Sequence, residues 1–109
     1  MIDQLIVFQK LYDLYLYTHK TVGKFPKNQR FLLSSYLLQA NMEMIKLTII
    51  ANNKRDRINE QDQISLNLDL FRICVRITRD VNFISINQYG HFTERISEIG
   101  KLLTSWKKT

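Results

Sequence analysis

Apolar residues recur every three or four positions along four stretches of the chain, and short polar segments separate these stretches. This spacing repeats once per turn of an α-helix, and no stretch shows the alternation of a β-strand. The pattern predicts helices over residues 2–23, 27–51 and 60–80, and a fourth from Ser85 to the basic C-terminus. Four helices with short connections predict an all-α fold, an antiparallel up-down-up-down four-helix bundle that forms one domain over residues 1–109.

Local signals mark several helix ends. Gly23 follows the first helix, and Pro26 interrupts the polar segment after it. Ser85 with Gln88 three residues later is a capping-box pattern, which favours a helix start. Gly100 lies inside the last helix, where glycine costs about 1 kcal/mol relative to alanine, so we expect a second helix to approach closely there.

The first and last helices each have one predicted core face. His19 belongs to the first of these faces, so we expect it to be partly buried and hydrogen-bonded. The face of the first helix contains Leu5, Phe8, Tyr12, Tyr15, His19 and Val22, and it is widened by Leu11, Leu14, Leu16 and Tyr17. The face of the last helix contains Tyr89, Phe92, Ile96, Ile99, Leu103 and Trp106.

The third helix has two apolar stripes, where an ordinary bundle helix has one. One stripe contains Leu66, Leu70, Ile73, Ile77 and Val81. The opposite side contains Leu68, Phe71, Val75 and the methyl group of Thr78. The second helix shows a similar two-sided pattern, and burial on two sides favours an oligomer. A basic strip separates the stripes of the third helix and contains Arg72, Arg76 and Arg79.

The composition favours an anionic partner. Sixteen basic and ten acidic residues give a net charge of +6, although the same charge could serve solubility alone. The single cysteine, Cys74, lies between apolar neighbours and is typical of a small buried hydrophobe in a reducing compartment. No signal peptide is visible, and no apolar run approaches the roughly 18 residues of a membrane span, so we expect a cytoplasmic protein.

Basic residues form two further clusters at predicted helix ends. The candidates for nucleic-acid or partner binding are therefore Arg72, Arg76, Arg79, Lys101, Lys24, Lys27, Arg30, Lys54 and Arg55. Contacts of these side chains with phosphates would give salt-dependent binding with little sequence preference. The alternative is that they form ion pairs. Asp69 is placed to pair with Arg72 and Asp80 with Arg79, and Arg76 could pair across a subunit contact.

Patterns of catalytic chemistry are weak. His19 and His91 belong to no metal-binding spacing, and no glycine-rich phosphate loop is present. Glu94 and Glu98 share the polar side of the last helix, as expected for a solvated face. We therefore predict a protein that is not an enzyme and has no metal site and no cofactor.

Three segments carry a family resemblance. They are FPKNQR, LDLFRICVRITRDVNFIS and QYGHFTERISEIGKLLTSWKK. Their matching residues are Phe71, Arg72, Arg76, Ile84, Ser85, Tyr89, Glu98, Ile99, Gly100, Lys101, Leu103 and Trp106. Over about residues 10–108 the chain resembles the accessory variability determinant family of diversity-generating retroelements. These four-helix bundles are grouped with proteins encoded in intervening sequences of bacterial rRNA genes.

The resemblance implies a non-enzymatic accessory protein that forms a homopentamer with a basic surface. Its expected partners are the reverse transcriptase of the element and the template RNA, with DNA as a further nucleic acid and no membrane. Binding them would support mutagenic retrohoming. The resemblance assigns Arg72, Arg76 and Lys101 to binding, and the other candidates rest on charge alone. The alternative is a stand-alone interaction bundle of the rRNA intervening-sequence type that binds no nucleic acid.

Overall fold

Four helices account for most of the chain in a computed structural model that describes residues 2–27 and 30–108, with side chains for residues 5–27 and 32–108. The helices are α1 (Ile2–Val22), α2 (Arg30–Asn52), α3 (Ile58–Asp80) and α4 (Ile86–Lys107). Helices α1 and α3 each pack against both α2 and α4, so the four helices lie around one core. No strand occurs within the described residues. The predicted all-α, four-helix fold is confirmed.

The core consists of one buried row from each helix. Burying an aliphatic or aromatic side chain of this size contributes about 1.5–3 kcal/mol. The largest fully buried side chains are Trp106, Phe71, Phe92, Leu11, Leu14, Leu37, Met44, Ile64, Ile96 and Ile99. Cys74 is buried beside them, as predicted, and burial raises the pKa of its thiol to about 11. The predicted core face of α4 is also confirmed, with Tyr89 half-buried at its start.

The predicted core face of α1 is confirmed in part: Leu11, Leu14 and Val22 are buried, but the predicted main row through Leu5, Tyr12 and His19 is not. The buried row contains Val7, Leu11, Leu14, Thr18, Thr21 and Val22. Leu5 and Tyr12 are exposed, and His19 is also exposed and stacks on Tyr15 with the ring centroids 6.5 Å apart. The two threonines are buried because their hydroxyls donate to backbone carbonyls of the same helix, from Thr18 to Leu14 at 2.7 Å and from Thr21 to Tyr17 at 2.8 Å. A polar residue satisfied in this way packs like an apolar one.

Two local motifs set the connection between α3 and α4. Asn82 has a φ of 65°, and the amides of Asn82 and Phe83 donate back to the carbonyls of Arg79 and Thr78, each at 2.9 Å. This Schellman pattern ends α3. Ser85 then starts α4 with the predicted capping box, in which Ser85 and Gln88 exchange hydrogen bonds of 3.1 and 2.8 Å.

Contacts between the connections hold the helix ends together. Phe25, between α1 and α2, packs against Phe83, between α3 and α4, with ring centroids 5.4 Å apart. Lys107, at the end of α4, donates to the Ser65 hydroxyl at 2.7 Å and lies 3.5 Å from the Asp62 carboxylate near the start of α3. The first contact joins the α1–α2 connection to the α3–α4 connection, and the second joins the end of α4 to the first turns of α3.

Two interior contacts refine the helix packing. The side-chain amide of the buried Asn41 donates to the carbonyl of Leu11 at 3.0 Å, which joins α2 to α1. The close approach expected at Gly100 is not present, because a Cβ built there would lie 3.8 Å from Leu68 Cδ2, an ordinary contact distance. Among the described helices, none is both long and apolar enough to cross a membrane.

Candidate nucleic-acid interface

The arginines of α3 and one side of α4 form a groove between the two helices. The groove contains two adjoining depressions of about 460 and 280 Å³, and Arg72 lines both of them. The larger depression is floored by small residues of α4, which leave room above the helix backbone. We call this surface the basic groove, and its lining residues are Arg72, Ile73, Arg76, Arg79, Tyr89, Ser97, Gly100, Lys101 and Thr104.

Helix geometry places the three arginines in one row. Arg72, Arg76 and Arg79 are four and three residues apart, so they rise by about 6 Å and 4.5 Å along the helix axis and stay within an arc of about 60°. Lys101 comes from α4 and joins this row only because α3 and α4 pack together. The groove can therefore hold several anionic groups in succession.

Two of these arginines already have carboxylate partners. Arg72 Nη1 lies 2.9 Å from Asp69 Oδ1, and Arg79 Nη2 lies 2.9 Å from Asp80 Oδ1. The Arg79 guanidinium also covers the ring of Tyr89, 4.5 Å from the ring centroid. Exposed ion pairs of this kind contribute about 0–1 kcal/mol. The local pairing considered as an alternative for Arg72 and Arg79 is therefore present, though weak.

The other two cations of the groove have no acidic partner within the described residues. Arg76 and Lys101 are both exposed, and neither lies within ion-pair distance of an acidic side chain in the described part of the chain. The groove is thus lined by four cations, and two of them are paired with carboxylates of α3. An anionic ligand would therefore have its most favourable electrostatic interactions at Arg76 and Lys101.

A second groove lies on the other side of α3, between α2 and α3, and is apolar. Its volume is about 720 Å³, and Ile73 lines both this groove and the basic one. The outer stripe of α3 is exposed, and part of it lines this groove. By the outer stripe we mean Leu66, Leu70, Ile73, Ile77 and Val81. We call this surface the apolar groove, lined by Leu32, Leu33, Tyr36, Gln39, Ala40, Glu43, Asn67, Leu70, Ile73, Cys74 and Ile77.

Comparison with known proteins identifies the family and supports the fold. A family model described as bAvd-like matches residues 5–109. The chain belongs to the bAvd-like family. This bAvd-like protein is also similar in structure to a protein of unknown function from the S23 ribosomal protein family of Bacteroides thetaiotaomicron VPI-5482. The TM-score is 0.87 with 19% identity over 98% of this chain and 99% of the other, a likeness that establishes a shared fold. No curated protein matches the sequence significantly.

The remaining candidate residues of this bAvd-like protein lie outside the basic groove. Lys24 and Lys27 are exposed between α1 and α2, and Arg55 is exposed between α2 and α3. None of the three lines the groove. The side chain of Arg30 lies outside the described residues.

Lys54 has a local partner. Its Nζ atom donates to Glu60 Oε2 at 2.7 Å, and the Glu60 side chain is buried at the start of α3. This hydrogen bond holds the pKa of the Glu60 carboxyl below its ordinary value, against the opposing effect of burial. The pair connects the polar segment after α2 to α3, so Lys54 has a structural role in the bundle.

A third groove, between α1 and α4, contains charges of both signs. Lys10 lies 3.2 Å from Glu98, and Arg95 covers the ring of Tyr17 at 4.2 Å from its centroid. His91 and Glu94 also line this groove. Within the described residues, no three acidic, cysteine or histidine side chains lie together as a metal site would require.

The structure adds groove residues that sequence reasoning did not assign to a site. Ser97, Gly100 and Thr104 form the floor beside Arg72, and Tyr89 supports Arg79. The three floor residues are three and four positions apart, which is the spacing of one helix face. A stripe of small residues beside Lys101 was the available signal, but its location opposite Arg72 depends on the packing of α3 against α4.

Proposed function

We propose that this bAvd-like protein is a non-enzymatic accessory protein of a diversity-generating retroelement. It binds the template RNA and the reverse transcriptase of the element in the cytoplasm and so supports mutagenic retrohoming. The main support is the basic groove, in which Arg76 and Lys101 have no acidic partner within the described residues. Arg72, Arg76 and Lys101 are also the residues that the family resemblance assigns to binding.

The chemistry of the groove favours contact with a phosphate backbone. Guanidinium and ammonium groups bind phosphates through charge-assisted hydrogen bonds, and each contact releases counterions from the nucleic acid. The groove offers cations in a row, and cations that contact phosphates position a nucleic acid without reading its bases. We therefore expect RNA binding that is strongly salt-dependent and has little sequence preference, and DNA binding through the same contacts.

We also propose that the bundle is antiparallel, up-down-up-down, and assembles into a ring-like homo-oligomer, a pentamer by the resemblance. The contacts of Phe25 with Phe83 and of Lys107 with Ser65 support the helix order. The exposed apolar groove supports the assembly, as does a second, unlike apolar surface at Leu5, Phe8 and Ile49. Unlike surfaces on one chain favour head-to-tail contacts, which can close into rings.

Assembly would also strengthen RNA binding. Five chains of net charge +6 would carry about +30 in one particle. Several grooves on one ring could bind one RNA strand together, which raises the apparent affinity without new contacts.

RNA binding is tested with the double variant Arg76→Ala, Lys101→Ala. At moderate salt we expect at least a tenfold loss of affinity for single-stranded RNA, and a salt slope shallower by about 1.4, because two phosphate contacts are lost at about 0.7 each. Fluorescence anisotropy over a salt series measures both quantities, and circular dichroism checks that helicity is kept.

The matched control removes two positive charges elsewhere, as Lys20→Ala, Lys46→Ala on α1 and α2, where both residues are exposed. Equal losses in the two double variants would mean that net charge, rather than the groove, governs binding. No RNA binding by the wild type would favour the stand-alone interaction bundle, an alternative that the pairing of Arg72 and Arg79 with aspartates also supports.

Self-association is tested with Leu70→Gln, Ile77→Gln in the apolar groove. We expect the wild type to elute at a multiple of the 13.0 kDa chain mass, five times for a pentamer, and the variant to shift to the monomer. Light scattering after size exclusion measures the mass. The control, Ile58→Gln, Ile86→Gln, changes two exposed isoleucines that do not line the groove. A monomeric wild type would rule out the assembly.

Genomic context separates the retroelement role from the alternative. A reverse transcriptase gene beside this one, with template and variable repeats, would support the accessory function. A gene without these neighbours, in a protein that does bind RNA, would leave a nucleic-acid-binding bundle without a retroelement.

A further inference from the structure

Two arginines of the basic groove are paired with carboxylates of their own helix. Asp69 Oδ1 accepts a hydrogen bond from Arg72 Nη1 at 2.9 Å. Asp80 Oδ1 accepts from Arg79 Nε at 3.0 Å and lies 2.9 Å from its Nη2 atom, so it binds two nitrogens of that guanidinium. These are the donors that a phosphate would use, so the two aspartates and a phosphate compete for the same atoms.

We propose that Asp69 and Asp80 are internal competitors that restrict the basic groove to strands carrying several phosphates. This inference rests on the proposed nucleic-acid binding and names the residues that set its selectivity. A small anion meets two arginines already neutralised by attached carboxylates. A strand first binds the free cations Arg76 and Lys101, and its next phosphates then meet Arg72 and Arg79 at a high effective concentration.

The two aspartates are exposed enough for a phosphate to replace them. The side chains of Asp69 and Asp80 are 65% and 58% exposed, so each carboxylate can turn into solvent when a phosphate takes its place. Solvent-exposed ion pairs are weak, and exchange of one anion for another at such a guanidinium loses little. Arg79 keeps its contact with the Tyr89 ring during the exchange.

The position of Asp80 argues against a role in helix stability. Asp80 is the last residue of α3, where the negative end of the helix dipole disfavours a carboxylate. Neither the end of α3, which the Schellman pattern at Asn82 sets, nor the core requires this side chain. Its contact with Arg79 is what the structure shows it to do.

The test uses the full chain with Asp69→Asn, Asp80→Asn and both together, against a single-stranded oligouridylate. Each change should tighten binding at fixed moderate salt by about twofold to fivefold. The salt slope should stay close to that of the wild type, because the strand reaches Arg72 and Arg79 in both proteins and makes the same number of phosphate contacts. The affinity for inorganic phosphate, calculated from its displacement of the oligonucleotide and the measured oligonucleotide affinity, should rise in the double variant by a larger factor than the affinity for the oligonucleotide.

Asp13→Asn is the matched control, because it removes one negative charge from the α1/α4 groove, which Arg72 does not line. Gains equal to this control would overturn the inference and assign the effect to net charge. Weaker binding by the aspartate variants would also overturn it, because the carboxylates would then position the arginines. If the arginine–lysine double variant loses binding while the aspartate variants match the control, the proposed function stands and this inference falls. If neither the wild type nor the aspartate double variant binds, both fall.

Discussion

The two apolar stripes of α3 have opposite environments although their side chains are equally hydrophobic. The inner stripe, with Leu68, Phe71 and Val75, packs into the core between α2 and α4. The outer stripe, with Leu70 and Ile73, is exposed along the apolar groove. Leu68 is 3% exposed and Leu70, two positions later, is 52% exposed.

The difference shows that hydrophobicity alone does not decide which side of a helix is buried within one chain. The stripes point to different sides of α3, and the neighbouring helices can cover only one of them. The covered stripe stabilises the fold, whereas the uncovered stripe is available to a partner. The basic groove adjoins the apolar groove, because Ile73 lines both of them.

The largest expected effect is the contrast between Leu68→Ala and Leu70→Ala, the same substitution in the two stripes. Leu68→Ala should lower the free energy of unfolding by about 2 to 5 kcal/mol, since it removes buried methyl groups and leaves a cavity. Leu70→Ala should change it by less than about 0.5 kcal/mol in the monomer. Urea denaturation at low protein concentration measures both values.

Protein concentration provides the control for this pair. If the outer stripe is covered in an assembly, the loss at Leu70→Ala should grow as the concentration rises, because association stabilises the folded state by mass action. Similar losses for both variants at the lowest concentration would show that the two stripes are equally buried, which contradicts the comparison.

A smaller effect is expected where the inner stripe meets α4. Gly100→Ala should raise the free energy of unfolding by about 0.5 to 1 kcal/mol, because alanine is the better helix former and its methyl would meet Leu68 at an ordinary distance. Gly90→Ala is the control, since a Cβ there has no neighbour within 4 Å. If Gly100→Ala lowers the free energy of unfolding and Gly90→Ala does not, a neighbouring helix does approach Gly100 closely, as the sequence suggested.

The smallest effect concerns acid, at the start of α3. The pKa of Glu60 is lowered by Lys54 in the folded state, so its ionised form contributes stability above the ordinary value of 4.5. That contribution is lost as the pH falls through the lowered folded-state pKa. The melting temperature of Glu60→Gln should therefore fall less steeply in acid than that of the wild type. Thermal scans from about pH 3 to pH 7 test this, with the exposed Asp56→Asn as control; parallel curves for all three proteins would refute it.

Sequence reasoning located the core face of α4 but only part of the core face of α1, and the reason is chemical. In α4 the capping box at Ser85 and the buried row from Phe92 to Trp106 are both local patterns of apolar and capping residues. In α1 the buried row includes Thr18 and Thr21, whose hydroxyls are satisfied by the preceding turn. A pattern that counts only apolar residues selects the neighbouring face, with Leu5 and Tyr12.

The candidate site divides in the same way. The row of Arg72, Arg76 and Arg79 and the pairing of two of them with aspartates follow from positions along one helix. The location of Lys101 beside Arg72 does not, because the two residues lie on different helices. The sequence also could not show that Lys24, Lys27 and Arg55 lie outside the groove, because the charge of a residue does not indicate its position in the fold.

By itself, the sequence determined the four helices, most of their ends, the two stripes of α3 and the row of arginines. These features depend on hydrogen bonds and side-chain spacing within about one helical turn. Only the tertiary structure decided which stripe is buried, which face of α1 forms the core, and which cations share a groove. Those outcomes depend on how each helix is rotated against its neighbours, which many weak contacts between distant parts of the chain set together.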